Sequence, residues 1–240
     1  MRVGFWEAVK TIRVIRLMDE ARASGRENPV FVDVGANIGW YSLAVASQGF
    51  SVIAVEPARY NNELFKASIE INGHLDVKLH EVVVTDKVEE NSCLRVAPYG
   101  NPRDNRANFQ VTTSCENTRS SSNVVSTTID RIVSGYDDIH VMKLDIEGYE
   151  AKALRGARAL LNSEDPPCVV ILEYIPAYLK MAGETNPSLI LSEMIELGYE
   201  LYPDSPSGSD IVKPIHQGDL TGIEGDRDYE FRWPRGRCEL

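Results

Sequence analysis

The sequence predicts an α/β fold: a Rossmann-like, mostly parallel sheet with helices packed on both faces. Three observations lead there. Short β-branched runs alternate with amphipathic stretches of helix length, the pattern of βαβ units. Runs such as Val169-Val170-Ile171-Leu172 contain no alternating polar residues, so both faces of those strands are buried, as parallel sheets require. A turn bearing Gly35 and Gly39 joins the first such run to the first following helix, at the place where an open α/β sheet takes its ligand.

The elements follow in chain order. Residues 5–23 read as a helix whose stripe is Phe5, Ala8, Val9, Ile12 and Ile15, with Val14, Leu17 and Met18 off it and Ser24-Gly25 closing it. Strands are expected at 30–34, 51–55, 77–84, 140–144 and 168–172, and helices at 39–47, 59–72, 128–134 and 149–161. Between residues 89 and 126 the periodicity fails and Ser, Thr, Asn, Pro and Gly dominate, which suggests a lid or an edge hairpin. A helix after Pro187 ends at Gly198, and a tail with Tyr229, Phe231 and Trp233 could close the sheet with antiparallel strands. The expected organisation is an N-terminal amphipathic helix in residues 1–29 and a single domain over 30–240.

With 240 residues the chain is long enough to bury one generous core. Its 25 Lys and Arg against 36 Asp and Glu give a net charge of -11, which disfavours partners that bind through phosphates, nucleic acid and anionic membranes alike. The four cysteines, at 93, 115, 168 and 238, form no CxxC pair and stand near no histidine at metal-ligand spacing, so idle thiols in a reducing cytosol are expected. Charged residues interrupt every apolar run well short of a membrane span, so a cytoplasmic location is the expectation.

Two clusters carry the chemistry. In Val32-Asp33-Val34-Gly35-Ala36-Asn37-Ile38-Gly39 the glycines permit a tight turn and close approach of a ligand to the backbone. Asp33 could accept from a ligand ammonium or be held by backbone amides. At the end of the second strand Glu56 is placed to accept from both hydroxyls of a ribose. Asn37 stands where a dinucleotide fingerprint has its second glycine, which disfavours a pyrophosphate. S-adenosyl-L-methionine, with an adenosine, a carboxylate and an ammonium but no phosphate, fits better.

The second cluster is Lys143-Leu144-Asp145-Ile146-Glu147-Gly148-Tyr149-Glu150, at the carboxyl end of another buried strand. Strand alternation puts Lys143, Asp145 and Glu147 on one side unless the turn at Gly148 redirects Glu147. Glu173, at the end of the next strand, adds an acid to the same rim. These charges could surround a methyl donor and acceptor, or satisfy one another and cap a helix. Asp145, Glu147 and Glu173 could also hold a hard divalent cation.

These residues, with Tyr41-Ser42, Thr128-Ile129-Asp130, Leu154-Arg155-Gly156-Ala157 and Glu173, resemble the FkbM-type methyltransferases in order and spacing from about Val30 to Tyr174. The resemblance implies a seven-stranded class I methyltransferase sheet, S-adenosyl-L-methionine as donor, and O-methylation of hydroxyls on sugars, glycans or small natural products. It implies that Asp33, Gly35, Asn37 and Gly39 surround the methionine end of the donor, Glu56 the ribose, and Glu81 and Val82 the adenine. Asp145 is the first choice for a base or acceptor-orienting group, with Glu147 or Glu173 next and Lys143 as their electrostatic partner. The competing readings are a nicotinamide-dependent oxidoreductase on a related sheet and a cofactor-binding scaffold without catalysis.

Overall fold

The computed structural model describes residues 7–73, 75–96, 109–112, 122–203, 213–220, 223 and 225–238. Phe5, His74 and Cys115 lie outside them, as do the middle of the 89–126 stretch and residues 204–212. A seven-stranded sheet runs in the order β10-β11-β9-β8-β1-β2-β3. Its parallel part comprises β1 (Val30–Val34), β2 (Ser51–Val55), β3 (Val77–His80), β8 (Ile139–Leu144) and β9 (Val169–Tyr174). The tail closes it: β11 (Arg227–Arg232) pairs antiparallel with β9, and β10 (Glu200–Pro203) antiparallel with β11.

Helices cover both faces. On one lie α1 (Ala8–Ala23), α2 (Trp40–Ala46) and α3 (Arg59–Ile71), around a core that includes Val14, Leu17, Phe31, Val45, Phe65 and Val141. On the other lie α4 (Ile129–Ile132), α5 (Glu150–Arg155), α6 (Arg158–Leu161), α7 (Pro176–Met181) and α8 (Leu189–Glu196), around Val32, Met142, Leu144, Leu172 and Phe231. Every residue of β1 and β8 is buried, which is why these strands lack alternation.

Three expectations need correcting. The 77–84 strand is two pieces: β3 joins the main sheet, while β4 (Val83–Val84) joins a second sheet of order β4-β7-β5-β6. That sheet takes β5 (Glu89–Val96), β6 (Phe109–Thr112) and β7 (Ser122–Thr127) from the stretch without periodicity. The 149–161 helix breaks at Gly156 into α5 and α6: the Gly156 carbonyl accepts from the Asp130 amide at 3.0 Å, and the Asp130 carboxylate accepts from the amides of Ala159 and Leu160 at the start of α6. Finally, α1 buries Thr11, Val14, Leu17, Met18 and Ala21, whereas Val9 and Ile12 are exposed. The stripe was misassigned because Lys10 and Arg13 also face the sheet, where they pair with Asp228 and Glu230 of β11.

Cys168 and Cys238 also depart from expectation: they form a buried disulfide that fastens the carboxyl-terminal stretch to the start of β9. A separation of 70 residues hid the pair in the sequence.

Candidate active site

The turn after β1 is built from left-handed residues. Gly35, Asn37 and Gly39 have φ of 87°, 52° and 90°. The amides of Gly35 and Ala36 both donate to the Val55 carbonyl, at 2.9 and 3.0 Å, which binds the turn to the end of β2. Glu56 extends that link. Its carboxylate accepts from the Asn37 amide at 2.9 Å, the Ala58 amide at 2.9 Å and Asn61 Nδ2 at 3.3 Å. Burial raises its pKa, against the pull of the Ala58 and Asn37 amides. Glu56 and the turn form one hydrogen-bonded unit.

Asp33 lies beneath this turn and is wholly buried. One oxygen accepts from Ser42 Oγ at 2.6 Å, and the other, 4.0 Å from Lys143 Nζ, has no hydrogen-bond partner. Burial raises its pKa, while Lys143 and Ser42 lower it. Glu81 is exposed and paired with Lys66, and Val82 is half-buried.

The second cluster is a loop at the carboxyl end of β8. Lys143 Nζ donates to Asp145 at 2.9 Å and lies 4.8 Å from the centre of the Tyr41 ring. Burial works against the ammonium, but Asp145 and Asp33 outweigh it and hold Lys143 protonated. Burial likewise opposes the Asp145 carboxylate, and Lys143 with Glu173 brings its pKa below the ordinary value. Burial, and after it the charge of Asp145, pushes the Glu173 carboxyl well above the usual carboxylate range, which favours its protonated form beside Asp145.

Glu147 sits at φ 55° and Gly148 at φ 100°. A Cβ on Gly148 would meet the Tyr178 carbonyl oxygen at 2.4 Å. Glu150, buried at the start of α5, reaches back so that its Oε1 accepts from the amides of Ile146 at 2.9 Å and Gly148 at 3.2 Å. Burial and the Asp145 charge bring Glu147 up to about 7. Tyr149 Oη donates to the Val111 carbonyl at 2.8 Å, tying β6 of the small sheet to this loop.

The two loops touch: a Cβ on Gly35 would fall 1.8 Å from the Asp145 carbonyl oxygen. Beside them, α1 and β11 supply groups that the sequence did not point to. Lys10 pairs with Asp228 and donates to Glu7 at 3.1 Å, and Glu7 accepts from Tyr41 Oη at 2.6 Å. Lys10, Tyr41, Asp145, Glu173 and Asp228 line a pocket of about 20 Å³, room for roughly one water. No sequence signal could join Lys10 to Asp228, since they meet only through the antiparallel closure of the sheet. Among the described residues no three His, Cys, Asp or Glu side chains are arranged to hold a metal ion.

Residues 33–201, well over half the chain, match the methyltransferase FkbM domain. The chain belongs to that family. Being a methyltransferase of this kind, it has S-adenosyl-L-methionine as its implied donor. Among solved structures it is similar to monomeric WbdD, at 14% identity and a TM-score of 0.50, over 96% of this chain and 42% of WbdD. It thus spans less than half the length of that protein. Similarity also extends to a putative O-methyltransferase from Klebsiella pneumoniae, at 9% identity and a TM-score of 0.46, over 97% of this chain and 83% of that one. A precorrin-6y C5,15-methyltransferase from Geobacter metallireducens GS-15 has 11% identity and a TM-score of 0.42, over 89% and 87%. No curated protein matches the sequence. At 14% identity the WbdD likeness concerns the fold alone.

Among the described residues no helix of this FkbM-domain methyltransferase is long and apolar enough to cross a membrane. The structure gathers Asp33, Gly35, Asn37, Gly39 and Glu56 around one turn and Lys143, Asp145, Glu147 and Glu173 around the adjoining loop. Glu81 stands apart, turned to Lys66.

Proposed function

We propose that this FkbM-domain methyltransferase transfers the methyl group of S-adenosyl-L-methionine to a hydroxyl of a sugar, a glycan or a small natural product. One observation carries the reading: the Gly35–Gly39 turn, with Glu56 bound to it, packs directly on the Asp145–Glu147 loop. A donor seated on the first would present its reactive carbon to the carboxylates of the second.

The donor set suits this cofactor. Glu56 offers carboxylate oxygens where ribose hydroxyls would lie, and Asn37 occupies the place that a pyrophosphate needs open. Gly35, Asn37 and Gly39 would cradle the methionine end, with Asp33 bracing them from below through Ser42 and Lys143. Val82 and the backbone at Glu81 would border the adenine. The bound donor supplies an electrophilic methyl carbon, and the protein aligns the acceptor and removes its proton. A net charge of -11 suits an acceptor that is neither nucleic acid nor an anionic membrane.

Isothermal titration tests the first part: S-adenosylmethionine and S-adenosylhomocysteine bind, NAD does not, and Glu56→Ala weakens the nucleosides roughly tenfold or more. Incubation with isotopically labelled donor and pools of hydroxylated metabolites and glycans tests the second, with label expected in base-stable ether linkages. NAD affinity without S-adenosylmethionine affinity would sink the proposal. As to location, composition supports the cytosol and the Cys168–Cys238 bond supports an oxidising compartment. Alkylation of these cysteines in intact cells decides between them.

A further inference from the structure

Three carboxylates gather at the carboxyl ends of β8 and β9, and two of them are already engaged. Asp145 accepts from Lys143 at 2.9 Å, which matches its charge, and burial together with the Asp145 charge pushes the Glu173 carboxyl up toward its protonated form. Both line one pocket with Lys10, Tyr41 and Asp228, where their oxygens face that ion pair and the tyrosine.

Glu147 differs on each count. Its half-buried carboxylate makes no hydrogen bond or ion pair with any described residue. Its backbone is held left-handed at φ 55°, which is costly for a glutamate. Two devices hold it there. Glu150 ties down the amides on either side of it, those of Ile146 and Gly148, and Gly148 lets the chain pass the Tyr178 carbonyl where no Cβ would fit. Strained backbone braced around an unpartnered carboxylate, one residue beyond the Ile146 side chain that meets the Gly35 turn, is the arrangement of a group presented to a ligand.

We infer that Glu147, rather than Asp145, is the catalytic residue that takes the acceptor's proton, an inference that rests on the methyltransferase reading above. The hydroxyl proton passes to a Glu147 carboxylate oxygen as the hydroxyl oxygen's electron pair forms the bond to the methyl carbon. The carbon–sulfur bond breaks with its electrons going to sulfur, which ends as a neutral thioether. Asp145, Glu173 and Lys143 are positioning residues: they fix the base of the loop, with the Asp145 charge spent on Lys143, while Glu147 has no cation against it among the described residues.

Sinefungin, which carries an amine in place of the transferred methyl, probes the arrangement without an acceptor. Its ammonium would meet the Glu147 carboxylate, whereas S-adenosylhomocysteine offers nothing there. In titrations of the full chain, the wild type should prefer sinefungin roughly tenfold or more, and Glu147→Gln and Glu147→Gly should lose that preference while keeping S-adenosylhomocysteine affinity within about threefold. Glycine adopts φ 55° without strain, so the second variant removes the carboxylate even if the first folds poorly. A preference absent from the wild type or retained in the variants overturns the Glu147 inference and leaves the methyltransferase reading standing. So does loss of both ligands in both variants, which would make Glu147 part of the cofactor grip. A wild type that binds neither compound overturns the methyltransferase reading itself.

Discussion

The α-carbon of Gly35 packs against the carbonyl of Asp145 so closely that a methyl group there would overlap the oxygen, at 1.8 Å. Two segments 110 residues apart are thereby fixed to each other at the ends of neighbouring strands, which sets the distance from the β1 turn to the acidic loop.

Gly35→Ala should therefore fail twice. It places a side chain at φ 87° and drives it into the Asp145 backbone. The expected loss is about 2–5 kcal/mol of stability, read as a lower urea midpoint, with S-adenosylhomocysteine binding abolished in whatever remains folded. Gly25→Ala, at φ 95° with open space around it, is the control and should cost only about 1–2 kcal/mol.

Much of this was legible in the sequence because strand burial and turn chemistry are local. Residues 30–34 and 51–55 read as strands from their own composition, and the left-handed turn at Gly35, Asn37 and Gly39 falls where the glycines stand. The unreadable parts depend on distant contacts. Val9 and Ile12 looked like the buried face of α1 until Lys10 and Arg13 were seen to pair with β11. The spacing put Lys143 beside the acids of its loop but could not say that its ammonium would bond Asp145, because that depends on how the loop turns after β8. The 89–126 stretch suggested a lid or an edge hairpin, and its strands do pair antiparallel, but a polar stretch with no repeating pattern could not show that they form a sheet of their own.

Glu150 makes stability depend on pH. Burial raises its carboxyl from the ordinary 4.5 to about 7, so the folded chain holds a proton that the unfolded chain releases earlier. The resulting stabilisation is complete below about pH 4.5 and is lost as pH rises through about 7. Glu150→Gln keeps the oxygen that accepts from Ile146 and Gly148 and removes the buried charge. Melting temperatures of the variant and wild type should coincide near pH 4.5 and diverge above it, with the variant more stable by up to about 3 kcal/mol at pH 8. Glu147 and Glu173, also raised, leave a residual slope of the same sign.

The Cys168–Cys238 bond closes a long loop and holds the last described residues against β9. Reduction, or replacement of both residues by serine, should lower stability by about 2–4 kcal/mol. The two treatments should give equal urea midpoints, and dithiothreitol should not lower that of the double variant further. A reductant that leaves the wild-type midpoint unchanged would mean the bond is absent in solution.

Asp145 and Glu173 stand together at the ends of β8 and β9 with their carboxyls shifted in opposite directions, so their replacement by amides should have unequal effects. Glu173 is already neutral at pH 7, so Glu173→Gln replaces one donor to Asp145 with another and should cost under about 1 kcal/mol. Asp145 carries the charge that balances Lys143, which is buried and has only Asp33 beyond it at 4.0 Å. Asp145→Asn leaves that ammonium poorly compensated and should cost about 3 kcal/mol. Urea unfolding of both variants at pH 7 measures the difference. A reversed order, with Glu173→Gln the costlier change, would mean that the proton sits on Asp145 instead and that Glu173 is the charged partner of Lys143. The paired Lys143→Met, Asp145→Asn variant extends the argument: with the cation gone, the cost of the asparagine should largely disappear, because what destabilises Asp145→Asn is the stranded charge and not the missing carboxylate.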